Sequence, residues 1–252
     1  MNGRLTVVGI GPGPEYWVTP AVTAILAGAE DLFGYKSYLD RLASHLGQNR
    51  HPSDNGDEIA RAQVALALAL AGRRVVVVSG GDPGVFAMAS AVCEAIDRGP
   101  AEWRQLDIRV EPGVTAMLAA AARTGAPLGA DFACISLSDN LKPWRLVERR
   151  LTLACQAGLV LALYNPASRA RPDQIVGAFT LLSRLRGPDT PVIFATAVGR
   201  PDERIDIMRL GTCNPARADM RTLVIVGTEG TRIIERPGQT PLVYSERFAK
   251  EA

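Results

Sequence analysis

Val75-Val76-Val77-Val78-Ser79-Gly80-Gly81-Asp82-Pro83-Gly84-Val85-Phe86 is the stretch from which the fold is read. Four consecutive β-branched residues without a polar partner predict a strand buried on both faces, and such strands are central parallel strands covered by helices. The paired glycines after it let the backbone turn sharply and let a ligand approach without meeting a Cβ atom. Asp82-Pro83 has the form of an N-cap followed by a first-turn proline, which predicts a helix over residues 84–97. Asp82 therefore has two readings, helix cap or ligand contact. Placement favours the second, because ligands of open α/β sheets gather at the carboxyl ends of the strands.

Outward from this stretch the same alternation repeats. Leu5-Thr6-Val7-Val8 is a short apolar strand running into Gly9-Ile10-Gly11-Pro12-Gly13-Pro14. This resembles a dinucleotide fingerprint, but Pro14 takes the third glycine position and Pro12 lies inside the turn, so the tight turn over a pyrophosphate is compromised. Thr19-Pro20 then opens a helix that stops at Gly28. Asp31-Leu32-Phe33-Gly34-Tyr35 reads as a second strand, residues 38–46 as a helix and residues 48–56 as a polar loop. Asp57-Glu58 opens a helix running to Gly72, acidic at its start as the helix dipole favours. Its body, residues 64–71, is apolar nearly all round and is expected to be buried between layers. After the central strand, residues 106–110 form another, leading to Glu111-Pro112-Gly113-Val114-Thr115-Ala116 and a small-residue helix over 116–122. Alternating strands and helices to this point make a doubly wound parallel sheet.

The domain boundary is placed within residues 112–129, giving an N-terminal α/β domain over 1–115 and a C-terminal α/β domain over 116–246. The second half carries strands at 132–137, 158–163, 192–196, 205–210 and 223–226, with helices ending near residues 154 and 185. Its polar segments are Ser138-Asp139-Asn140-Leu141-Lys142-Pro143-Trp144, and Tyr164-Asn165-Pro166 followed by the basic loop Ser168-Arg169-Ala170-Arg171-Pro172. The tail from Phe248 is expected to fray.

Composition narrows the function classes. With 252 residues and 47% apolar content the chain can bury a sizeable core. Its net charge is only +2 and its 28 basic residues are scattered, so no nucleic-acid footprint is indicated. Arginine is the dominant cation, which suits carboxylate or phosphate recognition. Cys93, Cys134, Cys155 and Cys213 form no C-x-x-C pair and read as reduced core residues. His45 and His51 are the only histidines; both read as solvated, which argues against a histidine-rich metal site and against a Ser-His-Asp hydrolase. No signal peptide is visible, and Arg73-Arg74 splits the longest apolar region, so a cytoplasmic protein with no membrane and no metal is expected.

Val8-Gly9-Ile10-Gly11-Pro12-Gly13, Ser79-Gly80-Gly81-Asp82-Pro83, Pro112-Gly113-Val114-Thr115-Ala116 and Val224-Ile225-Val226-Gly227, in this order and spacing, make the chain similar over essentially its whole length to the tetrapyrrole (precorrin) methylases. The resemblance implies a parallel-sheet N-terminal domain, a mixed-sheet C-terminal domain, an active site in the cleft between them and a homodimer. It implies S-adenosyl-L-methionine as methyl donor and S-adenosyl-L-homocysteine as product. Gly11, Pro12, Gly80, Gly81, Asp82, Val85, Phe86, Thr115, Ala116, Leu163, Tyr164, Ala197 and Gly227 would bind it. Within the family, Ser138-Asp139-Asn140-Leu141-Lys142-Pro143-Trp144 with Tyr164-Asn165-Pro166 resembles the ring-contracting methylases of cobalamin biosynthesis. That implies methylation of precorrin-3B at carbon 17 with extrusion of a ring carbon to give precorrin-4. A cobalt-containing substrate, or another precorrin, is the alternative. Asp139 is the candidate base or orienting group for ring contraction, and Lys142, Arg145, Arg169 and Arg171 are candidate partners of the substrate's acetate and propionate arms.

A nicotinamide-dependent oxidoreductase is the rival reading, resting on Gly9-Ile10-Gly11 and on Glu30-Asp31 about twenty residues later. Pro14 and the second glycine loop at Gly80 speak against it. A non-catalytic ligand-binding module is a further one.

Overall fold

The computed structural model describes residues 3–54 and 56–248. Residues 249–252, most of the tail expected to fray, lie outside the described residues. The chain divides into two compact units, Met1–Ala116 and Met117–Ala252.

The first unit carries β1 (Arg4–Gly9), α1 (Pro20–Gly28), β2 (Asp31–Tyr35), α2 (Lys36–Leu39), β3 (Asn49–Ser53), α3 (Glu58–Leu70), β4 (Arg74–Ser79), α4 (Met88–Arg98) and β5 (Asp107–Glu111). Its five strands are all parallel, in the order β3-β2-β4-β1-β5. The valine run is thus the central strand, and none of Val75 to Val78 is more than 3% exposed. Alternation along the pleat splits the four residues between two cores. Val75 and Val77 join Leu5, Val7 and Phe33 beneath α3 and α4, while Val76 and Val78 join Val8 and Leu32 beneath α1. Burying one such side chain contributes about 1.5–3 kcal/mol. A run without polar residues is what two covered faces require.

α1 begins as the sequence predicts: Thr19 Oγ1 accepts from the Val22 N–H at 3.2 Å, with Pro20 in the first helical position. Three local expectations fail. Residues 38–46 do not form a helix beyond α2, because the Arg50 guanidinium donates to the carbonyls of Leu39, Leu42 and Ala43, which then need no helical N–H partner. Residues 49–53, read as loop, form the edge strand β3. Pro52 is tolerated there because an edge strand has a free side. α3 is not buried all round: Ala62, Ala65, Leu66 and Ala69 face the sheet, whereas Val64 is 53% and Leu70 48% exposed. A helix covering one face of a sheet meets its core along a single stripe.

The second unit holds α5 (Ala116–Thr124, beginning at the junction), β6 (Gly125–Ala126), β7 (Phe132–Ser136), α6 (Trp144–Gln156), β8 (Val160–Tyr164), α7 (Gln174–Leu185), β9 (Pro191–Thr196), β10 (Arg204–Arg209), β11 (Thr222–Val226), β12 (Thr231–Ile234) and β13 (Leu242–Ser245). Its main sheet, β10-β9-β11-β8-β7, is mixed: β7 and β8 are parallel, and the remaining pairings are antiparallel. α6 and α7 cover the sheet through Val147, Leu151, Ile175 and Phe179. A small sheet, β12-β13-β6, was not foreseen; it is tied by a chain of hydroxyls, Thr231 Oγ1 to Ser245 Oγ at 2.9 Å and Ser245 Oγ donating to the Pro127 carbonyl at 2.7 Å. Of the cysteines, only Cys155 is buried, and Cys93 is exposed. Among the described residues no helix is long and apolar enough to cross a membrane.

Candidate functional site

In the first unit, β1 and β4 are sheet neighbours, yet the chain leaves them in opposite directions: β1 leads through α1 to β2, and β4 leads through α4 to β5. Crossovers of one hand that run in opposite directions put their helices on opposite faces, which opens a crevice at the carboxyl ends of those two strands. Both glycine loops lie at that point.

The loops are locked together through bare backbone. A Cβ on Gly9 would lie 2.5 Å from the Gly81 carbonyl oxygen, and one on Gly113 would lie 2.4 Å from the same atom. A Cβ on Gly80 would strike the Tyr38 ring at 2.7 Å. The Gly11 N–H donates to the Gly81 carbonyl at 3.1 Å, and both residues have positive φ, +65° and +66°. Unlike Gly9 and Gly113, these two would leave a Cβ in ordinary van der Waals contact, with nothing closer than 3.7 Å at Gly11 and 3.9 Å at Gly81, so their need for glycine comes from the positive φ. Packing glycines and positive-φ glycines are therefore distinct sets.

Asp82 is not the cap of the following helix. Its Oδ1 accepts from the Gly84 N–H at 2.8 Å and its Oδ2 from the Gly113 N–H at 3.1 Å, so one carboxylate ties the β4 loop to the β5 loop. Residues 80–87 consequently stay irregular and α4 starts only at Met88, whose N–H is taken by Ser79 Oγ at 3.2 Å. A carboxylate offers about four lone-pair sites, so each oxygen retains capacity for a ligand donor. Phe86 holds φ +53° and is 51% exposed, and Val85 beside it is half-buried. A non-glycine residue in that region costs of order 1–3 kcal/mol, and such strain clusters at functional loops. Pro12 is half-buried, Thr115 is buried and Ala116 opens α5.

Two residues around these loops escaped the sequence reading. Arg41 Nη2 donates to the carbonyls of Ile10 at 3.2 Å and Gly13 at 2.9 Å, bracing the β1 loop from a segment with no motif of its own. Tyr38 covers Gly80 and meets Tyr35 edge-on at 5.5 Å. Neither carries a sequence signal, because each acts on a glycine loop 28 or more residues away.

Glu30-Asp31, the acidic pair on which the nicotinamide reading leaned, begins β2 at the amino end of the sheet. Asp31 is 3% exposed, with Oδ2 accepting from Arg73 Nε at 2.7 Å and Oδ1 placed 2.9 Å from His51 Nε2. A five-residue strand spans roughly 16 Å at about 3.3 Å per residue, so this carboxylate cannot reach a ligand at the carboxyl ends. His51 is not simply solvated either, since its ring stacks on Phe33 at 4.2 Å.

In the second unit, the expected cofactor residues lie at strand ends. Leu163 is fully buried in the core, between β7 and β11. Tyr164 ends β8, and its hydroxyl accepts from the Met117 N–H of α5 at 2.9 Å. Ala197 follows β9 with φ +51° and 3% exposure. Gly227 follows β11, where a Cβ would lie 2.7 Å from Thr231.

The expected substrate residues do not behave alike. Arg145 lies on α6 rather than on a loop, and is exposed, as is Arg169. Arg171 is instead drawn inward: its side chain is 12% exposed and Nη1 stands 3.7 Å from Asp139 Oδ1. Gln174, which the sequence reading passed over, donates from Nε2 to both Asp139 oxygens, at 3.1 and 3.3 Å. Lys142 Nζ donates to the Ser138 carbonyl at 2.7 Å. Burial, then the neighbouring charges of Arg150 and Arg171, lower its pKa against the opposing pull of Asp139. Ser136 Oγ accepts from Asn165 Nδ2 at 2.9 Å, with Asn165 at φ +52°. Among the described residues no group of three or more His, Cys, Asp or Glu is placed to hold a metal ion.

Comparison with known proteins finds relatives over nearly the whole chain. Residues 4–213 match the family model described as Tetrapyrrole (Corrin/Porphyrin) Methylases. A Sinorhizobium sp protein named precorrin-3B C(17)-methyltransferase is 58% identical over 248 residues, 98% of each chain. A Salmonella typhimurium protein named probable cobalt-factor III C(17)-methyltransferase is 37% identical, over 96% of this chain and 99% of that one. The crystal structure of the methyltransferase CobJ superposes with a TM-score of 0.92 at 48% identity, covering 97% of this chain and 100% of that one. With a family match over residues 4–213 and a full-length relative at this identity, the chain belongs to the tetrapyrrole (corrin/porphyrin) methylases.

Proposed function

We propose that this chain is an S-adenosylmethionine-dependent C-methyltransferase that methylates precorrin-3B at carbon 17, with ring contraction to precorrin-4. The observation that carries the reading is 58% identity over nearly the whole length to a protein named for that reaction, against 37% to one named for the cobalt-containing substrate. The metal-free tetrapyrrole is therefore preferred. A cytoplasmic homodimer is part of the same proposal, by family resemblance.

The donor supplies an electrophilic methyl group on sulfur, and in-line displacement by a ring carbon needs positioning more than proton transfer. The glycine loops fit that demand: Gly11 and Gly81 bring bare backbone together in a left-handed conformation, and Asp82 has lone pairs left for ammonium or hydroxyl donors. Gly80, Gly81 and Asp82 are assigned the amino-acid and ribose part, with Gly11, Pro12, Val85, Phe86, Thr115 and Ala116 beside them. Leu163, Tyr164, Ala197 and Gly227 are assigned the adenosine. Lys142, Arg145, Arg169 and Arg171 are assigned to the carboxylate arms.

Asp82→Asn tests the cofactor half. The amide keeps the size but replaces one acceptor by a donor opposite a backbone N–H, and hydrogen bonds to a charged group contribute about 1.5–3 kcal/mol. The expected result is a roughly 10- to 150-fold weaker affinity for S-adenosylhomocysteine in isothermal titration. Unchanged affinity would remove Asp82 from the binding site. Turnover of precorrin-3B against cobalt-factor III, measured by product mass, decides the substrate, and preference for the cobalt compound would overturn that half.

A further inference from the structure

We infer that Arg171 is the anchor for one substrate carboxylate and that Asp139 and Gln174 are positioning residues that hold its guanidinium ready. This rests on the proposal above that the substrate is a tetrapyrrole bearing acetate and propionate arms. Three observations carry it, all at the carboxyl ends of β7 and β8.

First, Asp139 is already engaged. Both its oxygens accept from Gln174 Nε2, and the Arg171 guanidinium stands beside Oδ1. A carboxylate hydrogen-bonded by Gln174 and charge-paired with Arg171 orients its neighbours; it is poorly placed to swing toward a reacting centre. Second, the Arg171–Asp139 separation of 3.7 Å gives charge pairing but exceeds hydrogen-bond reach. Nη1 is buried and has no hydrogen-bond acceptor among the described residues. A buried donor left unmade is costly, and more so when charged. A ligand carboxylate bonded to the planar guanidinium would remove that penalty, with the geometry arginine matches best. Third, the surroundings favour an anion. Arg150 and Arg171 both act on Lys142, so three cationic side chains gather around the one Asp139 carboxylate that opposes them there. The backbone of Arg171 is meanwhile fixed by a reciprocal pair of hydrogen bonds with Ser168, at 3.0 and 3.1 Å, leaving Arg169 and Ala170 at the exposed tip. The anchoring arginine of this loop is thus the inward one.

The test uses the full chain and two readouts: fluorescence titration with uroporphyrin III, a stable tetrapyrrole carrying the same kinds of arm, and kcat with KM for precorrin-3B. Arg171→Met is expected to weaken uroporphyrin binding and raise KM by about 10- to 100-fold, with kcat within threefold and S-adenosylhomocysteine affinity unchanged. Arg171→Lys, which keeps the charge without the fork, is expected to recover only part of the loss. Asp139→Asn and Gln174→Leu should each raise KM by about three- to tenfold, and Asp139→Asn combined with Arg171→Met should be no worse than Arg171→Met alone, as coupled residues require. Equal uroporphyrin affinity of wild type and Arg171→Met, whether tight or absent, overturns the proposal. So does Asp139→Asn with unchanged KM and a kcat reduced a hundredfold, which would place Asp139 at the reacting atoms. Wild type that binds uroporphyrin but turns over no precorrin-3B sinks the assigned reaction and leaves the Arg171 comparison to be decided by its own titration.

Discussion

Gly113→Ala is expected to lower the stability of the first unit by about 3 kcal/mol, the upper part of the range for forcing an extra methyl group into packed structure. The new Cβ would lie 2.4 Å from the Gly81 carbonyl oxygen and 2.7 Å from the Gly9 backbone, and neither neighbour is a side chain able to turn aside. Relief requires moving the ends of β1, β4 and β5 apart, which also stretches the 3.1 Å hydrogen bond from Gly113 N–H to Asp82. Loss of stability and loss of S-adenosylhomocysteine affinity should therefore appear together. In a chain of this length, about 3 kcal/mol corresponds to a melting temperature lower by roughly 6–12 °C. Gly28→Ala is the control: its Cβ would meet nothing within 4 Å, and at the end of α1 alanine should be neutral or slightly stabilising. A melting temperature for Gly113→Ala within 2 °C of wild type would show that the three loops are not in mutual contact.

The second large effect lies at the opposite end of the same sheet. Asp31 is buried and accepts from Arg73, His51 and Asn49. Burial pushes its carboxyl up, but the hydrogen bonds from Arg73, His51 and Asn49, with the charge of Arg73, outweigh this and hold the pKa below the usual carboxylate value. Asp31→Asn removes the charge without changing the shape. Breaking a buried pair costs about 3–5 kcal/mol, and because Arg73 and His51 are each more than a third exposed and can turn to water, a loss near 3 kcal/mol is expected at pH 7. The pH dependence follows from the direction of the shift. A depressed folded-state pKa contributes stability that is complete above the unfolded value of about 3.9 and is lost as pH falls through the folded one. Urea unfolding of wild type and Asp31→Asn should thus differ by a constant amount from pH 8 to about pH 5 and converge below about pH 4. A gap under 1 kcal/mol at pH 7, or one that fails to close in acid, would show that the charge of Asp31 does not stabilise this end of the sheet.

How far each feature could be read in advance depended on how locally it is encoded. β4 and its neighbour β1 were legible because four apolar β-branched residues in a row have few structural solutions, and α1 because Thr19-Pro20 is a start signal complete within four residues. β3 was not: Asn49-Arg50-His51-Pro52-Ser53 has no period of its own and becomes a strand because β2 offers an unpaired edge and Phe33 a surface for the His51 ring. Asp82 shows the same limit from the other side. Its neighbours spell a helix cap, yet a partner 31 residues away, the Gly113 N–H, takes the carboxylate and delays the helix to Met88. Arg171 and Arg169 look equivalent in sequence and are separated only by folding, one turned toward Asp139 and the other left in solvent.

By itself the sequence determined the central strand, the two glycine loops at its end and the membership in a methylase family, since each rests on residue types whose physical options are narrow over short spans. Only tertiary structure decided which glycines are needed for close packing and which for a positive φ, which carboxylate bridges loops, and which of several arginines is drawn inward. Those outcomes depend on what the chain brings close from thirty or more residues away, and hydrogen-bond partners at that range leave no mark on local spacing.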